Sequence, residues 1–141
     1  MNLDKDVIQT ELQFLDSFSK PQKVKGITIN HSKIPYSTIF DAHIDGLSNG
    51  KDGCECHYFI GRDGTVFNGK DDKLATDLAE NNIVICLEGN LDTDEPVKVQ
   101  FESLIDLCKE LKKEYKVSDS GLNVDLSGEK FPKEKFLERF E

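Results

Sequence analysis

No stretch of the 141 residues approaches the ~20 consecutive apolar residues that a membrane-spanning helix needs, so no transmembrane segment is expected. The first residues, Met1 to Asp6, lack the basic stretch and apolar run of a secretory leader. Basic residues are the minority, 18 against 27 acidic, and the formal net charge of -9 would repel a phosphate backbone. Nucleic acid and membrane are therefore not expected partners. Cysteine is sparse. Cys54, Cys56, Cys86 and Cys108 are scattered rather than spaced as a disulfide framework, which points to reduced thiols and makes the cytoplasm the default compartment. The chain also has no nucleophile-elbow motif for a serine triad, no internal repeat and no low-complexity tract. Its histidines are only three, and none follows His57.

What is present suits one soluble domain over residues 1–141, with 37% hydrophobic and 32% charged residues. Val7, Ile8, Leu12, Leu15 and Phe18 fall near helical spacing and predict an amphipathic helix over residues 3–18, ended by Pro21. Val24 to Asn30 is short and β-branched, as an inner strand would be. A short helix is predicted around Thr38 to Ile44, then a loop marked by Gly46, Asn49, Gly50 and Gly53. His57 to Ile60 and Thr65 to Phe67 flank Gly61-Arg62-Asp63-Gly64, whose Asp-Gly step signals a hairpin. Ile83 to Gly89 is a continuous apolar run of strand length, which predicts a central strand buried on both faces. Val99 to Tyr115 carries Phe101, Leu104, Ile105, Cys108 and Leu111 on one helical stripe, with Lys109, Lys112 and Lys113 near its end. The remainder reads as a polar loop from Val117 and a terminal helix over Lys133 to Phe140. The predicted class is α/β, a sheet core covered by a helix.

The residues alone support little chemistry. Thiolates and imidazole make Cys54-Glu55-Cys56-His57 a zinc candidate, but alternation along a strand sends Cys56 and His57 to opposite faces. A structural zinc also needs four ligands, and no second pair is spaced nearby. A Cys-His nucleophile needs spatial pairing, which adjacency in sequence does not supply.

The segment His57-Tyr58-Phe59-Ile60-Gly61-Arg62-Asp63-Gly64-Thr65-Val66-Phe67-Asn68-Gly69-Lys70 resembles a hairpin of the type 2 N-acetylmuramoyl-L-alanine amidases, which include phage amidase lysozymes and peptidoglycan recognition proteins. Asn82 to Asp92, Pro96 to Tyr115 and Ile27 to Ser32 are also similar to that family, so the resemblance spans residues 24–136. It implies a central mixed β-sheet flanked by helices, and a groove holding one zinc whose water attacks the bond between the muramoyl lactyl group and L-alanine. The matching positions here do not carry the family's ligands. Its first zinc histidine aligns with Asn30, next to His31, and its tyrosine before the hairpin aligns with Cys56. Its two tail ligands align with Asn123 and Phe131. No His follows His57 and no Cys follows Cys108, so the tail holds no such pair.

The resemblance therefore implies no catalytic residue, no metal ligand and no cofactor. It leaves a groove bordered by Asn30, His31, Cys56, His57, Asn123 and Asp125, with His57 read as a packed residue. Three functions follow from it. One is a pseudo-enzyme binding a muropeptide or another peptidoglycan fragment. Another is an amidase whose metal site is rebuilt with carboxylates such as Asp119, Asp125 or Glu129. The third is an interaction or inhibitor module with a protein partner. Phage or secretion-system delivery to a cell wall is compatible with each.

Overall fold

The sheet follows from the alternation of the two inner strands. In the computed structural model, which describes residues 1–15 and 20–141, β2 (Gly26–His31) and β5 (Asn82–Leu87) lie side by side in parallel. Ile27, Ile29, Ile83, Ile85 and Leu87 face one layer, while Val84 and Cys86 face the other. Burial of both faces is why the run Ile83 to Leu87 is continuously apolar. The other strands are β1 (Val7–Gln9), β3 (Tyr58–Ile60), β4 (Val66–Asn68) and β6 (Leu122–Asn123). The order across the sheet is β1-β4-β3-β5-β2-β6, with only β3 and β4 antiparallel. This is the mixed α/β sheet expected from the sequence.

Helices α2 (Lys98–Tyr115) and α3 (Lys133–Phe140) cover one face. Leu104, Ile105, Cys108 and Leu111 of α2 are at most 1% exposed there, with Phe136 and Phe140 of α3 beside them. Gln100 fastens the start of α2 to the sheet: its buried Nε2 donates to the carbonyls of Ile60 and Glu88. The helix ends at Lys116 in the left-handed conformation, φ 54°, after Lys112 and Lys113 in its last turn.

The opposite face carries the smaller cluster Ile39, Cys54, Cys56, Phe59, Val84 and Cys86 under α1 (Ile39–Ser48). A capping box starts α1. The Thr38 hydroxyl accepts from the Asp41 N–H, and the Asp41 carboxylate accepts from the Thr38 N–H at 2.8 Å. The hairpin turn holds Gly64 at φ +86°, which a side chain would resist.

Three expectations are corrected. Residues 3–15 form no helix: Val7–Gln9 pairs in parallel with Val66–Asn68 at the sheet edge. That pairing fills the open hydrogen-bonding edge of β4 and buries Val7 while leaving Ile8 49% exposed, a period of two rather than 3.6. Phe18 lies outside the described residues. Gly46 belongs to α1 rather than to the loop after it, because α1 runs on to Ser48. The segment after Val117 is not all loop either. A 3-10 turn, Asp119–Gly121, leads into β6, which completes the exposed edge of β2.

Candidate functional site

Strands β2 and β5 end together at Asn30, His31, Cys86 and Leu87, and a groove opens beyond them. In parallel sheets ligands bind at this carboxyl end, where the loops diverge. Two adjoining cavities, about 460 Å³ and 440 Å³, share Asn30 and His31. The first runs under α1 and is lined by Asp41, Asp45 and Glu55, with Cys56 and Cys86. The second lies toward the chain's tail and is lined by Lys33, Asp92, Asp125, Glu129 and Lys133. A larger cavity, about 580 Å³, sits at the other end of the sheet. One of its carboxylates, Asp72, already accepts from the Tyr58 and Tyr115 hydroxyls at 3.0 and 2.7 Å, and burial raises its pKa.

Of the six groove residues read from the sequence, Asn30, His31 and Cys56 meet in the first cavity, and Asp125 joins Asn30 and His31 in the second. Asn30 is at the centre of the groove, and its side-chain oxygen accepts from the His31 N–H at 2.8 Å. The His31 ring is only 5% exposed. Its Nδ1 accepts from the Leu91 N–H at 3.1 Å, and its Nε2 is 3.9 Å from the Asp92 carboxylate. Those contacts hold the imidazole at the strand end instead of swinging it toward Asn30.

His57 does not line the groove. It is fully buried, with Nδ1 accepting from the Val84 N–H at 2.9 Å and Nε2 against the Leu74 carbonyl at 2.7 Å. One acceptor and one donor define the neutral ring, and burial lowers its pKa to about 4. Asn123 sits exposed on β6, its side-chain oxygen accepting from the Asp125 N–H at 2.9 Å. Phe131, the other tail position, is 4% exposed and packs 5.4 Å from Phe136 in the core, facing away from the groove. Asp119 is not part of the groove; it approaches Lys112 at 3.5 Å.

All four cysteines are free and buried. Cys54 lies behind Cys56, its thiol donating to the Cys56 carbonyl at 3.5 Å, and the neighbouring Cys56 thiol, followed by His43, lowers the Cys54 pKa. The neighbouring Cys54 thiol and burial raise that of Cys56, and burial pushes Cys86 up to about 12. The floor of the groove is thus lined by neutral thiols at Cys56 and Cys86. Among the described residues, no three His, Cys, Asp or Glu side chains converge closely enough to hold a metal ion.

Several lining residues were not legible in the sequence. Asp41, Asp45 and Glu55 come from α1 and the loop after it, and Asp92 follows β5; no motif marks Asp41 or Asp45, and the segments that contain Glu55 and Asp92 did not single out these side chains. Lys70 and Asp52 were also missed. They form a buried ion pair at 2.9 Å that joins the loop before β3 to the segment after β4, with the Lys70 ammonium also donating to the Ala75 carbonyl.

Known proteins share this architecture. The endolysin N-acetylmuramoyl-L-alanine amidase LysCS from Clostridium intestinale superposes with a TM-score of 0.83 at 19% identity, over 94% of this chain and 93% of that one. Peptidoglycan recognition protein LE, solved with tracheal cytotoxin, a monomeric diaminopimelic acid-type peptidoglycan, gives 0.74 at 17% identity over 84% and 81%. A Drosophila PGRP-LB mutant bound to tracheal cytotoxin gives 0.68 at 18% over 82% and 83%. No curated protein matches the sequence. At these identities the structures establish the fold, whereas the sequence itself matches the family model of the N-acetylmuramoyl-L-alanine amidases across residues 20–128. With that model covering most of the sheet and both groove walls, the chain belongs to the N-acetylmuramoyl-L-alanine amidase family.

Proposed function

We propose that this chain is a non-hydrolytic member of its family that binds peptidoglycan fragments in the groove at the ends of β2 and β5. One observation carries the reading: the groove is open, yet the positions that resemble the family's zinc ligands are Asn30, Asn123 and the core residue Phe131. Neutral amides are poor zinc donors, and a phenyl ring is none. The donor set does not fit a zinc ion. At the tyrosine position Cys56 offers a buried thiol, a weaker and shorter donor than a phenol.

The groove still supports binding. Asn30 offers a neutral amide at its centre, and Lys33 and Lys133 border the tail side where a ligand carboxylate would be favoured. Two fold relatives are solved in complex with tracheal cytotoxin, which makes a muropeptide the first ligand to try.

The test is thermal unfolding of the chain with a monomeric diaminopimelic acid-type muropeptide and with muramyl dipeptide, beside a peptide-release assay on peptidoglycan with added zinc. We expect stabilisation that grows with ligand, ~2.7 kcal/mol at a hundred times Kd, and no release. Absence of stabilisation by either fragment at millimolar concentration would sink the binding reading. Release that a chelator abolishes would identify an amidase with a rebuilt metal site.

A further inference from the structure

The segment Cys54-Glu55-Cys56-His57 carries a set of metal-binding residue types that the groove reading leaves unused. The fold withdraws two of them. The His57 ring commits Nδ1 to the Val84 N–H and Nε2 to the Leu74 carbonyl, so no nitrogen remains for an ion. The Glu55 carboxylate accepts from the Asp77 N–H at 3.0 Å. The two thiols remain. Cys54 and Cys56 belong to one buried cluster with Ile39, Phe59, Val84 and Cys86, and are 0% and 3% exposed. The Cys54 Sγ stands 3.5 Å from the Cys56 carbonyl oxygen, with the Cys56 thiol as its neighbour. Cys56 also lines the cavity of about 460 Å³ under α1, which gives an ion a route to the pair.

Two sulfurs without a further donor select the kind of ion. Structural zinc takes four ligands, and among the described residues no three His, Cys, Asp or Glu side chains converge to hold a metal. The nearest imidazole is committed as well: His43 Nδ1 accepts from the Cys54 N–H at 3.1 Å, and its Nε2 meets the Gln13 carbonyl at 2.8 Å. A soft monovalent ion with a filled d shell, Cu(I) or Ag(I), is satisfied by two thiolates in a line, and thiolates favour soft ions over hard ones. Cys54 is already displaced toward its thiolate, by the neighbouring Cys56 thiol and then by His43. Loss of its proton strands no group, because the Cys56 carbonyl keeps the Lys70 N–H at 3.0 Å. Ile39, Phe59 and Val84 wall the pair and keep out the water that a hard cation would bring with it.

We propose that Cys54 and Cys56 form a two-coordinate site for a soft monovalent metal ion of the Cu(I) class. Binding makes two metal–sulfur bonds, releases both thiol protons to solvent and leaves the pair with a single net negative charge. Cys86 lines the cavity beside Cys56 as a neutral thiol and is not a ligand. The site borders the cavity assigned above to a peptidoglycan fragment, but it needs the two thiols alone and no fragment.

The test titrates the reduced full chain with Cu(I) without oxygen, in competition with the chromogenic chelator bicinchoninate, beside a parallel titration with Zn(II). We expect one Cu(I) per chain and weaker binding of Zn(II). Cys54→Ala and Cys56→Ala should each lose at least about a hundredfold in Cu(I) affinity. Cys108→Ala should bind as wild type does, because its thiol lies in the core on the other face of the sheet. X-ray absorption on the wild-type chain loaded with one equivalent should show two sulfur ligands and no others, a readout that holds even where an alanine variant fails to fold. Cu(I) affinity unchanged in both Cys54→Ala and Cys56→Ala would overturn the proposal. A loss in Cys86→Ala equal to that in Cys54→Ala would overturn it too, by moving the ion to the groove floor. So would nitrogen or oxygen ligands in the absorption spectrum, or Zn(II) bound as tightly as Cu(I).

Discussion

His57 sits beside the groove in sequence and inside the core in space, and its burial should make the fold sensitive to mild acid. The folded ring titrates near 4 against an ordinary value of 6.5, because desolvation penalises the imidazolium. Between those values the unfolded chain binds the extra proton and the folded chain does not, so stability rises with pH across this window and is lost as pH falls through it. Integrating the two titrations gives a loss of about 2 kcal/mol between pH 7 and pH 5, and about 3 kcal/mol by the acid end of the window. With a urea slope of ~2 kcal/mol per molar, the unfolding midpoint should drop by ~1 M between those two pH values through this residue. Other groups titrate too, so the assay compares wild type with His57→Gln. The glutamine amide can accept from the Val84 N–H and donate to the Leu74 carbonyl, as the ring does now, but takes up no proton. The variant should be less stable at pH 7, and its pH dependence should be shallower than wild type by about 2 kcal/mol over the same interval. If both proteins lose the same stability between pH 7 and pH 5, the buried, neutral assignment of His57 is refuted.

Two further substitutions probe how the groove walls are held. Lys70→Met removes the ammonium against Asp52 from a site where both side chains are at most 4% exposed, and should cost about 3–5 kcal/mol in urea unfolding. Lys70→Met/Asp52→Leu should recover part of that loss, and a double variant no better than the single would argue against the ion pair as the cause. Gly46→Ala would put a methyl group 1.9 Å from the Gly53 carbonyl oxygen. Alanine's ~1 kcal/mol advantage within a helix should therefore be overwhelmed, and the melting temperature should fall rather than rise.

Much of the architecture was readable because it rests on short-range pattern. The apolar run at Ile83 to Leu87, the Asp63-Gly64 turn and the stripe from Phe101 to Leu111 each state their burial through period and turn chemistry. The N-terminal segment was misread for a physical reason. Val7, Ile8 and Leu12 satisfy helical spacing, but β4 offers an open edge, and a partner 59 positions away, Val66 for Val7, decides the outcome. The candidate site was half legible. Asn30 was found as the end of an inner strand, and Cys56 through the hairpin beside it. The acids that line the groove come from α1 and from loops of distant sequence position, and nothing local marks Asp41, Asp45 or Asp92 as neighbours of Asn30.

The sequence by itself determined which donors the groove could have. With no histidine after His57 and no cysteine after Cys108, no folding of the tail can produce a His/Cys pair there. It also determined the sheet's centre, because continuous apolar character admits only burial on both faces. The tertiary structure alone decided where the three histidines point. His31 is pinned by the Leu91 N–H, His43 by the Cys54 N–H and the Gln13 carbonyl, and His57 by Val84 and Leu74. Each partner comes from another part of the chain, and an imidazole's direction, tautomer and charge are set by the groups that surround it, which only the packed chain brings together.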